Sequence, residues 1–252
     1  MDHRLLKQIL YGSGYLAVLF LIIIVAYLIW LKPTPTCFDG RKNGGETGVD
    51  CGGPCLSCEI QTLAPLQVSW IKNFPVGKNT VIATEIKNPN LNWGAENLSY
   101  VFHIYDIYDN EIYTLTKKSF IYSGEVKFLV EPNVNIEATQ IGDIALSISD
   151  LNWKSQADFP RPETQIRGLK TELGLPIKIG GLFLNDNSYG LSRAGIFGFL
   201  YNQKGDLISA SKTELGKTGA FEEKSFQLTF PQNIALEKID SSKTKIYAEA
   251  IR

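Results

Sequence analysis

Cys37, Cys51, Cys55 and Cys58 stand close together and are the residues of this chain best placed to do chemistry. The stretch around them is rich in glycine and carries too little apolar surface to form a core, so covalent or ionic bonds must hold it. Oxidised in pairs, the four thiols staple the segment with two disulfides, and all three pairings are open. Reduced, they could gather round a zinc ion as a tetrahedral thiolate site. The spacing lacks two separated Cys-x-x-Cys knuckles, which favours disulfides. A redox or metal-binding sensor built on the same cysteines is the alternative.

Between the first two cysteines, Asp39, Asn43, Gly44, Glu46 and Asp50 fall at positions 1, 5, 6, 8 and 12 of a loop. Calcium loops space their oxygen ligands in this manner and use glycine for the sharp turn. Asp39, Asn43, Glu46 and Asp50 are therefore the candidate calcium ligands. Arg41 at position 3, a short Asp at position 12 and the lack of flanking helices exclude an EF-hand proper. A solvated turn rich in Asp, Asn and Gly accounts for the same residues.

Elsewhere no catalytic constellation stands out. There is no Gly-x-Ser-x-Gly elbow, phosphate-binding glycine loop or His-Glu-x-x-His. His3 and His103 are far apart, and His103 lies alone in a strand-like run, where packing or solvation is its expected role. Asp106 and Asp109, three residues apart, would face opposite sides of a strand and make a poor carboxylate pair. Asn97-Leu98-Ser99 is a formal glycosylation sequon, meaningful only if the host glycosylates secreted chains. The expectation is a protein without catalytic activity. Lys and Arg (25) nearly balance Asp and Glu (26), which leaves no basic surplus for nucleic acid.

The elements that carry these groups begin with an apolar run. Residues 9–31 hold no charge, and 16–31 are apolar throughout. A helix of roughly 20 such residues crosses the ~30 Å hydrocarbon core of a bilayer. Tyr11 and Tyr15 mark one end, and Tyr27 and Trp30 the other, as interfacial aromatic belts do. No small-residue cleavage site follows, so the run is expected to stay as an anchor. Arg4 and Lys7 precede it and Lys32, Arg41 and Lys42 follow, so the charge bias does not orient it. The disulfides do: they place the C-terminal side outside the cytoplasm. The expected order is a cytoplasmic tail at 1–8, a transmembrane helix at 9–31 and a Cys-rich stalk at 32–64.

Beyond Cys58 the pattern is that of short β-strands, such as Thr80-Val81-Ile82-Ala83-Thr84-Glu85-Ile86-Lys87, punctuated by Asn88-Pro89-Asn90, Asp109-Asn110 and Pro132-Asn133. The second half repeats the plan at a period of about a hundred residues. Residues 82–88 parallel 179–185, both ending in Asn. Ile107-Tyr108-Asp109 parallels Leu200-Tyr201-Asn202. Phe128-Leu129-Val130-Glu131-Pro132 parallels Leu228-Thr229-Phe230-Pro231, and Ile144-Ala145-Leu146-Ser147-Ile148 parallels Ile246-Tyr247-Ala248-Glu249-Ala250. The expectation is an all-β body of two tandem immunoglobulin-like sandwiches, at 65–155 and 165–252. The Pro-containing 156–164 segment should act as a semi-rigid spacer.

Two resemblances follow from these residues. The run from Cys37 to Cys58 resembles a Cys-rich motif of surface proteins, of the form C-x-D-G-x-x-N-x-x-E-x-G-V-D-C-G-G-x-C, which implies a surface location and no catalytic role. Residues 180–185, together with Phe199-Leu200-Tyr201-Asn202, resemble the FxLYD-type family of small extracytoplasmic β-sandwiches. That likeness implies an immunoglobulin-like fold and a non-enzymatic surface role. Together these readings point to a membrane-anchored interaction or structural module of the cell envelope. Its partners would be the membrane, through the N-terminal helix, and an extracytoplasmic protein or glycan.

Overall fold

The computed structural model describes residues 3–28, 36–230 and 239–252. It divides into two compact units, 1–63 and 64–252. Trp30, Lys32 and Pro231, and residues 29–31 of the expected span, lie outside the described residues.

In the first unit, α1 (His3–Ala26) contains a stretch, Leu6–Ala26, long and apolar enough to cross a membrane, with its side chains outside any protein core. The helix starts earlier than the uncharged run. Arg4-Leu5-Leu6-Lys7-Gln8 are good helix formers with no breaker among them, so residues 3–8, read as part of a separate tail, form the first turns. Residues 36–63 are a chain of turns with one bridge, Gly48 to Cys51, and a 3-10 turn at Cys58–Thr62.

Among its described residues, the second unit holds twelve strands in four antiparallel three-stranded sheets. The first half comprises β1 (Gln67–Val76), β2 (Asn79–Lys87), β3 (Trp93–Tyr105), β4 (Glu111–Ile121), β5 (Val126–Val134) and β6 (Asp143–Ser155). They form sheets of order β1-β2-β5 and β4-β3-β6. The second half comprises β7 (Thr164–Glu172), β8 (Lys178–Asn185), β9 (Arg193–Tyr201), β10 (Leu207–Leu215), β11 (Glu223–Thr229) and β12 (Lys245–Ile251). Their sheets run β7-β8-β11 and β10-β9-β12, the same topology strand for strand.

Alternation along the strands builds three cores from these four sheets. Ile82 and Ile86 of β2 and Leu129 of β5 face Leu98, Phe102 and Ile104 of β3 inside the first sandwich. Ile179 and Phe183 of β8 face Ile196 and Leu200 of β9 inside the second. The intervening residues of β2, β5 and β9 do not face solvent. Val81, Ala83, Phe128 and Val130 pack against Phe197, Phe199 and Ala210, with Trp70 and Tyr247 alongside. Phe128 lies 4.8 Å from Phe199 and 4.4 Å from Tyr247, ring centre to ring centre. Each such side chain taken from water contributes about 1.5–3 kcal/mol. The two sandwiches therefore form one body.

The segment at 156–164 is part of that body, which corrects its reading as a spacer. Phe159 stacks on Tyr122 at 4.5 Å and meets Phe120 edge-on. Arg161 reaches buried Glu125 at 3.5 Å, and burial pushes the Glu125 carboxyl above the usual range despite the Lys127 charge beside it. The Tyr122 hydroxyl crosses to the second sandwich and donates to the Ala250 carbonyl at 2.7 Å.

A buried asparagine closes the end of each sandwich in the same way. Asn88 Nδ2 donates to the carbonyls of Trp93 (2.6 Å) and Tyr122 (2.9 Å), and its Oδ1 accepts from the backbone and side chain of Asn90. Asn185 Nδ2 donates to the carbonyls of Tyr189 (2.8 Å) and Gly219 (2.7 Å), and its Oδ1 accepts from the backbone and side chain of Asn187. Asn90 and Asn187 in turn clasp the backbones of Ala64 and Glu163, the residues that lead into each half. Asn88 and Asn185, Asn90 and Asn187, and Tyr122 and Gly219 are all separated by the same number of residues. The hairpin after β3 shows a similar correspondence. Asp106 accepts from the backbone N–H of Asn110, and Asn202 from that of Asp206.

Candidate functional site

Two places bring chemically able groups together, and the first is the cysteine segment. Its disulfides join Cys37 to Cys55 and Cys51 to Cys58, and no free cysteine remains. With every sulfur spent, the thiolate zinc site is not formed. The glycines explain why the spacing is so particular. A Cβ on Gly48 would lie 2.6 Å from the Cys51 sulfur and 2.8 Å from that of Cys58, and one on Gly53 only 2.2 Å from the Gly45 carbonyl oxygen.

Of the four candidate calcium ligands, Asp39, Glu46 and Asp50 are engaged by backbone N–H groups, whereas Asn43 Oδ1 is buried without a hydrogen-bond partner. Asp50 accepts from the N–H groups of Asp39 and Gly40 at 2.9 Å each. Glu46 is buried, and its Oε2 accepts from the N–H groups of Asn43 and Asp50 at 3.2 Å each. Asp39 accepts from the Arg41 N–H and, at 2.8 Å, from Asn43 Nδ2. The Asn43 bond leads the effects that hold the Asp39 carboxyl below its usual range. Among the described residues, the closely gathered acid and sulfur donors are Cys37, Glu46 and Cys55, two of which form a disulfide. The oxygens of Asp39, Glu46 and Asp50 do not converge in that way. Their work in this structure is to clamp a loop that has no core.

The second place lies where the sandwiches meet. A cavity of about 230 Å³ is lined by Tyr100, Lys117 and Glu131 from the first half and by Arg193, Lys212, Glu214 and Glu249 from the second. Strand register puts these side chains together. Tyr100 pairs with Lys117 across β3 and β4, so both point to one face. Arg193 and Gly195 alternate with buried residues on β9, which sets them on the face of Phe197. Gly195 pairs with Glu214 on one side and Glu249 on the other, and Phe197 pairs with Lys212. That face of the β10-β9-β12 sheet is the one turned towards the first sandwich.

Within the cavity, the Tyr100 hydroxyl donates to Glu131 Oε1 at 2.6 Å. Burial, followed by the Glu131 charge, pushes the Tyr100 hydroxyl well above the usual phenol range. Lys212 pairs with Glu214 at 2.9 Å, and its hydrogen bond leads the effects that hold Glu214 low, with Arg193 and Lys117 adding attraction. Fully buried Lys127 donates to Glu249 and lies 3.9 Å from the Phe120 ring centre.

No family model and no curated protein matches this chain. Among solved structures that do match is that of red sea bream transglutaminase, at 14% identity, covering 75% of this chain and 32% of that one, with a TM-score of 0.24. A likeness at that score carries no argument.

The remaining sequence candidates stay apart from both places. His103 sits on β3 with Nδ1 2.5 Å from Glu111 Oε1. Asp106 and Asp109 lie in the turn after β3 and not on opposite strand faces; Asp106 accepts from the Tyr108 and Asn110 N–H groups, and Asp109 adopts a positive φ of 61°. Asn97 is exposed on β3 beside buried Leu98. The cavity residues escaped sequence reasoning because they come from six strands. The one available signal was charged residues such as Glu131, Lys212 and Glu249 inside strand-like runs.

Proposed function

We propose that this chain is a single-pass membrane protein with its N-terminus in the cytoplasm and its β body outside, where it serves as a non-catalytic binding or structural module of the cell envelope. The observation that carries this reading is the pair of disulfides close behind an apolar helix. A segment with no core depends on them, and they persist in oxidising compartments outside the cytoplasm. The helix supplies attachment, and the third core makes the body rigid enough to present a surface.

The two halves are read as copies of one immunoglobulin-like domain. Shared strand order and the matched asparagine clasps support this. The FxLYD likeness moves in the first half from Ile107-Tyr108-Asp109 to Phe102-His103-Ile104-Tyr105-Asp106. Its final residue begins the same turn as Asn202.

Labelling with a membrane-impermeant maleimide in intact cells producing the full chain tests the orientation. The expected result is no labelling until a reductant is added, and then labelling without permeabilisation. Labelling without reductant, or only after the membrane is opened, would overturn it.

A further inference from the structure

The cavity between the sandwiches carries an inference about ligand chemistry, which deepens the reading of the body as an extracytoplasmic binding module and rests on it. Two of its ion pairs are internally satisfied, Lys212 with Glu214 and Lys127 with Glu249. Among the described residues, Lys117, Lys118 and Arg193, which also line it, have no ion-pair partner, while the opposing Glu131 is hydrogen-bonded to Tyr100. The balance at the mouth is therefore positive, and an entering group should bear a negative charge.

The interior adds a second requirement. Glu131, Glu214 and Glu249 each keep carboxylate lone pairs, which accept O–H or N–H donors. Phe128 and Phe197 give the walls an apolar strip. The volume, about 230 Å³, lies below the range typical of pockets for drug-sized ligands. Gly195 helps to keep the space open. A Cβ there would lie 3.2 Å from the Phe197 ring and 3.3 Å from Glu249 Cγ. A compact molecule with one anionic group and several hydroxyls meets all these conditions.

We propose that the cavity between the two sandwiches binds an acidic sugar unit, its carboxylate held by Arg193 and Lys117 and its hydroxyls donating to Glu131 and Glu249. The site is a recognition site, and no bond is made or broken in it.

Titration calorimetry on the full chain in lipid nanodiscs, with glucuronate as the probe, tests this independently of membrane orientation. The expected result is saturable binding that weakens about ten-fold in Arg193→Gln and again in Lys117→Gln, since each removes a charge-assisted hydrogen bond. Both positions are exposed, so the variants should melt with the parent, and Lys42→Gln in the cysteine segment should bind as the parent does. Glucose should bind at least ten-fold more weakly. Three results would overturn the proposal: no glucuronate binding, binding indifferent to both substitutions, or inorganic phosphate binding as tightly as glucuronate. The last would mean that the cavity recognises only charge. Any of them would leave the maleimide result untouched.

Discussion

Replacing Asn185 with alanine should destabilise the β body by about 3 kcal/mol, the sum of roughly 1–3 kcal/mol for each buried partner left unsatisfied. Asn185 is fully buried, with its two donors on the carbonyls of Tyr189 and Gly219 and its Oδ1 holding the Asn187 N–H. Truncation removes all of these. The Gly219 carbonyl keeps a long contact from the Glu222 N–H at 3.3 Å, so the main losses are at Tyr189 and Asn187. At this chain length the loss corresponds to a fall in Tm of about 6–12 °C. Urea unfolding of the full chain in nanodiscs, followed by tryptophan fluorescence, would show it as a lower midpoint at unchanged slope. Asn185→Asp keeps the size and one acceptor but cannot donate to the two carbonyls, so its loss should be at least as large. Asn88→Ala should match Asn185→Ala. A loss below about 1 kcal/mol in both alanine variants would refute the view that these side chains hold the sandwich ends.

Gly48→Ala should block the Cys51–Cys58 bridge, because the added Cβ falls within 3 Å of both sulfurs; thiol counting on denatured protein should then find two reactive cysteines, and none in the parent. Partial reduction with differential alkylation should recover Cys37 with Cys55 and Cys51 with Cys58, and any other pairing contradicts the fold of this segment. Phe199→Ala, at a nearly inaccessible position of the third core, should cost about 3–5 kcal/mol and split one unfolding transition into two; a single transition of unchanged midpoint would count against a coupled body. Glu125 has its folded pKa raised by burial, so its contribution favours the fold below the pKa of the unfolded carboxyl and is lost as pH rises through the folded value. Glu125→Gln should therefore remove a decline in Tm seen in the parent over that window, and parallel Tm–pH curves would show that Glu125 does not titrate as placed.

Local patterns were readable and long-range ones were not. The uncharged run at the N-terminus, the cysteine cluster and alternation such as that at 80–87 each depend on near neighbours, so composition and period revealed them. The calcium-like spacing was also local, but oxygen ligands and amide-capping carboxylates look alike in sequence. Only backbone geometry shows Glu46 and Asp50 turned onto N–H groups. In comparing the two halves, the short tripeptide at 107–109 drew attention away from Asp106, whose turn hydrogen bond matches that of Asn202. Asn88 and Asn185 were read as strand ends and turn residues. Each is followed two positions later by a second Asn, and that recurrence was the missed signal. The third core was invisible because Val81 and Phe128 look the same whether they face solvent or another sheet, and only the run of apolar residues along β9 hinted at burial on both faces.

The third core also sets how far such a chain can grow. The two inner sheets bury both faces, whereas the outermost sheets end in polar surface: Thr114 and Thr116 on β4, and Glu223, Ser225 and Gln227 on β11. A further sandwich appended to either end would meet no apolar counterpart of Phe128 or Phe199. Docking another sandwich through a core of this kind would therefore require re-facing an outer sheet first, as the polar outer face of a capping repeat illustrates in solenoids.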